Sequence, residues 1–121
     1  MKIWVIVGAI LLALAIVLGA FGAHIIKSKI SSEDLAIFEI GVRYHIYHAI
    51  GLVLIGLIGF HVHQNIIAIP ALMITTGIII FSGSLYILVL TGVRWLGSIT
   101  PIGGLLFIIG WILLAINLIR N

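Results

Sequence analysis

Ten consecutive residues concentrate one of the chain's three carboxylates, one of its six basic residues and two of its five histidines: Glu39-Ile40-Gly41-Val42-Arg43-Tyr44-His45-Ile46-Tyr47-His48. On a helix, the four-residue spacing of Glu39 and Arg43 allows an interfacial ion pair. The three-residue spacing of His45 and His48 puts both imidazoles on one face. With His24 from a neighbouring helix, they could ligate a transition metal or a haem. The plainer and preferred reading is hydrogen bonding between helices, His48 to Ser82 or Tyr86 and His24 to a backbone carbonyl. A lone imidazole can also respond to protons, and His48 is the candidate for that role. Ser82 and Ser84 supply hydroxyls, but no inward carboxylate completes an acid–base–nucleophile set, so no catalytic residue is expected. Gly103-Gly104 lacks the lysine and preceding strand of a phosphate loop.

These groups sit in a chain of 121 residues that is 64% hydrophobic and 7% charged. Soluble domains carry about 25% charged residues. No water-facing surface can be built from such a composition, so an all-α integral membrane protein is expected, one domain over residues 1–121. Ionisable side chains at membrane depth are costly and mark functional sites by default. The formal charge of +3 comes from scattered basic residues without a polybasic cluster, which argues against nucleic acid and leaves membrane lipids as partners. Cysteine is absent, which removes disulfides, thiolate nucleophiles and thiolate metal sites. The apolar run from Ile3 to Ala23 is about twice a signal-peptide core and is expected to be a retained helix.

A spanning helix needs roughly 20 apolar residues. Four such segments fall at about 3–24, 32–60, 69–90 and 101–119, joined by short turns that imply an antiparallel four-helix transmembrane bundle. Gly8, Ala15, Gly19 and Gly22 form a small-residue stripe for close packing on the first. Ser31-Ser32-Glu33-Asp34 starts the second, with a hydroxyl cap and carboxylates at the positive end of the helix dipole. Its inward face carries Gly41, Tyr44, His45, His48, Leu52 and Ile55. Pro70 belongs in the first turn of the third. This order gathers His24, Lys27, Lys29, Glu39, Arg43, Arg94, Trp95 and Thr100 on one side, with His45, His48 and Tyr86 one or two turns below. Lys27, Lys29, Arg94 and Trp95 suit lipid headgroups. Their basic excess turns that side to the cytoplasm under the positive-inside rule. Trp4 and Trp111 suit an aromatic belt on the other side, where His61 and His63 mark a polar turn.

Several stretches carry a resemblance. Gly19-Ala20-Phe21-Gly22-Ala23-His24, Arg43-Tyr44-His45-Ile46-Tyr47-His48-Ala49, Phe81-Ser82-Gly83-Ser84-Leu85-Tyr86, Ile99-Thr100-Pro101-Ile102-Gly103-Gly104 and Gly110-Trp111 resemble the YgdD/YwdK-like small membrane proteins, a domain-of-unknown-function family found in bacteria. The likeness covers nearly the whole chain. It implies four helices in a bacterial inner or plasma membrane and marks His24, Tyr44, His48, Ser82, Ser84, Tyr86, Thr100 and Pro101 as motif positions. Where this chain has His45 the family usually has glutamine, and where it has Ile25, glycine.

The expected function is that of a small non-enzymatic, multi-pass component of the cell membrane. It would pack within a membrane complex or homo-oligomer, or bind lipid through its polar leaflet, with no cofactor. An oligomeric transporter with His48 as the proton-responsive group is the alternative, and a histidine-ligated metal or haem protein the third reading.

Overall fold

The computed structural model describes residues 2–121. It contains four helices long and apolar enough to cross a membrane, and no strand among the described residues. We number them α1 (Lys2–Ile26), α2 (Ser32–Ile58), α3 (Gln64–Thr91) and α4 (Thr100–Arg120). A short 3₁₀ turn, Arg94–Ser98, leads into α4. The helices pack in chain order, α1 on α2, α2 on α3 and α3 on α4. Fully buried Leu52, Ile55, Ile67 and Ile74 form the middle of the core. Phe38, Leu88 and Val89 close it near the α1–α2 connection.

Small residues set the seams, because in lipid helices associate through close packing rather than hydrophobic drive. At Gly8 a Cβ would lie 2.8 Å from the Ala49 carbonyl oxygen and 2.7 Å from Val53, so α1 can meet α2 only through glycine there. Gly19 faces Val42 in the same way. Around Gly19 α1 changes pitch: Val17–Gly22 is a π turn, and the Ala23 N–H donates to the Leu18 carbonyl five residues back. Nothing in the apolar periodicity announces this widening.

Ser31 caps α2, its Oγ accepting from the Asp34 N–H at 3.1 Å. The Asp34 carboxylate also receives Arg94 through two parallel bonds, Nη1 to Oδ1 at 2.8 Å and Nη2 to Oδ2 at 3.0 Å. This fork ties the α3–α4 connection to the start of α2. It is the only ion pair among the described residues, so the expected Glu39–Arg43 pair is not formed. Both of those side chains are exposed, and an exposed helical pair gains only ~0.3–0.5 kcal/mol against the entropy of holding two long side chains. The bidentate geometry open to Arg94 is stronger.

Helix α3 begins at Gln64 rather than near residue 69, which moves Pro70 from the first turn into the helix interior. Proline cannot supply the N–H that would close on the Ile66 carbonyl. That carbonyl instead accepts from Asn117 Nδ2 of α4 at 3.0 Å. A neighbouring helix thus repairs the gap, the usual reason membrane helices tolerate interior proline.

Candidate functional site

The inward polar side chains form a ladder between α2, α3 and α4. Nearest the α3–α4 connection, Ser84 and Thr100 share a 2.6 Å hydroxyl–hydroxyl hydrogen bond, with the Phe81 carbonyl 2.8 Å from Ser84 Oγ and the Leu96 carbonyl 3.4 Å from Thr100 Oγ1 as further acceptors. Ser82 Oγ donates to the Gly41 carbonyl at 2.7 Å. This bond needs tight packing, since a Cβ at Gly41 would lie 2.9 Å from the Tyr86 ring. Tyr86 in turn bonds His45 Nδ1 at 2.8 Å. Deepest, His48 Nδ1 donates to the Tyr44 carbonyl at 2.8 Å, and its ring lies flat on Phe107 at a centroid distance of 3.6 Å.

Both α2 imidazoles are buried, His45 at 2% exposure and His48 at 9%. They look in different directions, His45 at Tyr86 of α3 and His48 at Phe107 of α4. Each Nδ1 already has its own partner. His24 is exposed near the end of α1 and joins neither. The three histidines therefore do not converge, and no trio of metal-ligating side chains exists among the described residues. Tyr44 joins the ladder through its carbonyl, while its ring is exposed and packs on Phe81 at 4.8 Å.

His45 is at the midpoint of Ser32–Ile58, about 20 Å from either helix end at ~1.5 Å per residue. Trp111 packs onto α2: a Cβ at Gly51 would lie 2.6 Å from its ring, so it covers that glycine beside His48 while 37% of it stays exposed. Lys27, Lys29 and Trp95 are exposed, Trp95 at 65%.

The profile described as "Protein of unknown function (DUF423)" matches residues 18–104. That span runs from the π turn through the whole ladder to the first glycines of α4. The chain belongs to the DUF423 family. Its relatives include a UPF0382 membrane protein of Staphylococcus aureus strain bovine RF122, 49% identical over 96% of this chain and 94% of that protein. Another, from Staphylococcus haemolyticus, is 44% identical over 97% and 95%. The UPF0382 membrane protein YwdK of Bacillus subtilis is 41% identical over 99% and 98%. No solved structure matches. In this DUF423 protein the glycine-rich stretch Gly19–His24 falls on and just after the π turn.

Three contacts of this DUF423 chain escape a reading of its sequence. Asp34–Arg94 and Asn117–Ile66 join residues far apart in the chain, and neither has a spacing signature. For the second, the available signal was Pro70 with an asparagine in an apolar helix. The third, His45–Tyr86, shares its donor and acceptor classes with several alternative pairs.

Proposed function

We propose that this DUF423 protein is a non-enzymatic, multi-pass component of the bacterial cell membrane that binds phospholipid through a lateral groove. The observation that carries this is a groove of about 250 Å³ between the π turn of α1 and the outer face of α2. Gly19, Phe38 and Val42 wall it, and Glu39 and Arg43 stand at its rim. Arg43 has no ion pair among the described residues, which suits it to a lipid phosphate, while Glu39 can accept from a headgroup amine or hydroxyl. At ~1.5 Å per residue α2 is about 40 Å long, longer than the ~30 Å hydrocarbon core, so its first turns have room in the headgroup region.

Transport through one chain finds no support in the packing. Phe107 lies on His48, Trp111 covers Gly51, and Leu52, Ile55, Ile67 and Ile74 beneath them are fully buried. The test of lipid binding is native mass spectrometry of protein released from membranes. A retained phospholipid is expected on the natural protein and severalfold less on Arg43→Ala. Equal retention by the variant, or no retained lipid, would remove the basis for this reading.

A further inference from the structure

A second opening lies on another face of α2, between α1 and α3, which share no substantial packing seam. It is a cleft of about 180 Å³ with walls of Leu11, Leu14, Ile78 and Ile79. Leu14 and Ile79 are exposed, so the cleft gives onto the lipid side of the bundle. His45, Ser82 and Tyr86 provide its polar lining.

Two features distinguish this cleft from an ordinary gap between helices. The first is His45 Nε2, the one buried side-chain nitrogen or oxygen without a hydrogen-bond partner among the described residues. The Leu11 backbone of α1 faces the ring, but no hydrogen bond is closed to it. The Tyr86 hydroxyl can donate to Nδ1 or accept from it, since Ser82 also lies within its reach. The Leu11 backbone carbonyl facing the ring favours the tautomer in which Tyr86 donates to Nδ1 and Nε2 carries the hydrogen. A buried donor without a partner is costly, which favours any ligand that brings it an acceptor.

The second feature is Gly83. A Cβ there would meet nothing within 4 Å, unlike those at Gly8, Gly41, Gly51 and Gly103, where close packing requires glycine. Packing does not explain this glycine, and a larger side chain would project into the cleft it lines.

A ligand must therefore be soluble in hydrocarbon, carry a hydrogen-bond acceptor, and be about the size of one ring. A cavity of roughly 150 Å³ accommodates benzene. We propose that the cleft between α1 and α3 binds a lipid-soluble ring bearing a carbonyl oxygen, the chemistry of a quinone, with the His45 Nε2–H as donor to that oxygen. The cleft is separate from the Arg43 groove, and either can fail without the other.

The experiment uses the full chain in nanodiscs of phosphatidylethanolamine and phosphatidylglycerol, with trimethyl-p-benzoquinone as probe and mesitylene as its carbonyl-free counterpart. With no cysteine in the chain, the quinone cannot be captured as a thiol adduct. We expect saturable binding of one quinone per chain and a shift of the His45 side-chain ¹⁵N resonance. Binding should weaken at least tenfold in Gly83→Leu and in His45→Phe. It should survive in Gly83→Ala, and in His45→Gln, which keeps an N–H donor. Mesitylene should bind at least tenfold more weakly than the quinone. Three results overturn the proposal: no saturable quinone binding, equal binding of mesitylene, or full binding by Gly83→Leu. A His45 resonance that responds only to water does so as well. If Gly83→Leu fails to fold, the His45→Gln and His45→Phe comparison decides in its place.

Discussion

Replacing Asn117 with leucine tests whether α4 repairs the break that Pro70 makes in α3. The substitution removes the Nδ2 donor at 3.0 Å from the Ile66 carbonyl. It leaves that oxygen with neither a side-chain partner nor the N–H that a non-proline residue at 70 would supply. Interhelical side-chain bonds in membranes contribute ~0.6 kcal/mol on average and up to ~1.7. A stranded buried acceptor adds ~1–3 kcal/mol. Ile66 lies in the first turn of α3 beside an opening lined by His63 and Asn65, where water can partly take the place of Asn117. The expected loss is therefore about 1 kcal/mol, roughly a fivefold change in the folded-to-unfolded ratio. Reversible unfolding in mixed detergent micelles, followed by circular dichroism, measures it. The decisive comparison is a double-mutant cycle. In a Pro70→Ala background the new N–H reaches the Ile66 carbonyl, and Asn117→Leu should become nearly neutral. The cycle subtracts the cavity left by the fully buried proline ring. An equal cost in both backgrounds would refute the repair.

Gly103→Ala should destabilise the bundle by ~1–3 kcal/mol, because its Cβ would collide with the Phe81 backbone of α3. Gly83→Ala should be neutral or stabilising by up to ~1 kcal/mol, since it enters open space in mid-helix; the same unfolding assay separates the two. Tyr86→Phe strips His45 Nδ1 of its partner and should cost about 1 kcal/mol. His45→Leu combined with Tyr86→Phe should cost less than the sum of the two alone. Asp34→Asn breaks the Arg94 fork and should speed hydrogen exchange and proteolysis across Arg94–Ser98, while α2 to α4 keep their protection. Unchanged exchange there would mean that the fork does not hold the connection.

The four spans and their order could be read from the sequence because hydrocarbon sets the helix length and leaves little choice of element. Burial of His45 and His48 with Arg43 exposed also follows from helical periodicity along α2. What could not be read was which donor meets which acceptor. Arg94 was as available to a headgroup as to Asp34, and the choice depends on where the 3₁₀ turn brings it. The early start of α3 was hidden because Pro70 looks like a helix opener, and only the distant Asn117 makes it tolerable in the interior. The π turn was hidden for another reason: it alters pitch without altering composition. His24 lies just past this turn, and its side chain is exposed.

Across the seam between α1 and its neighbours no hydrogen bond or ion pair is closed among the described residues. The first helix is held by close packing, through glycines that let it nestle on Ala49, Val53 and Val42. The other three are additionally fastened by Ser82, Asn117 and the Arg94 fork. Under force applied at the N-terminus, α1 should peel away as a separate first event, leaving a three-helix remnant that still holds its polar ladder.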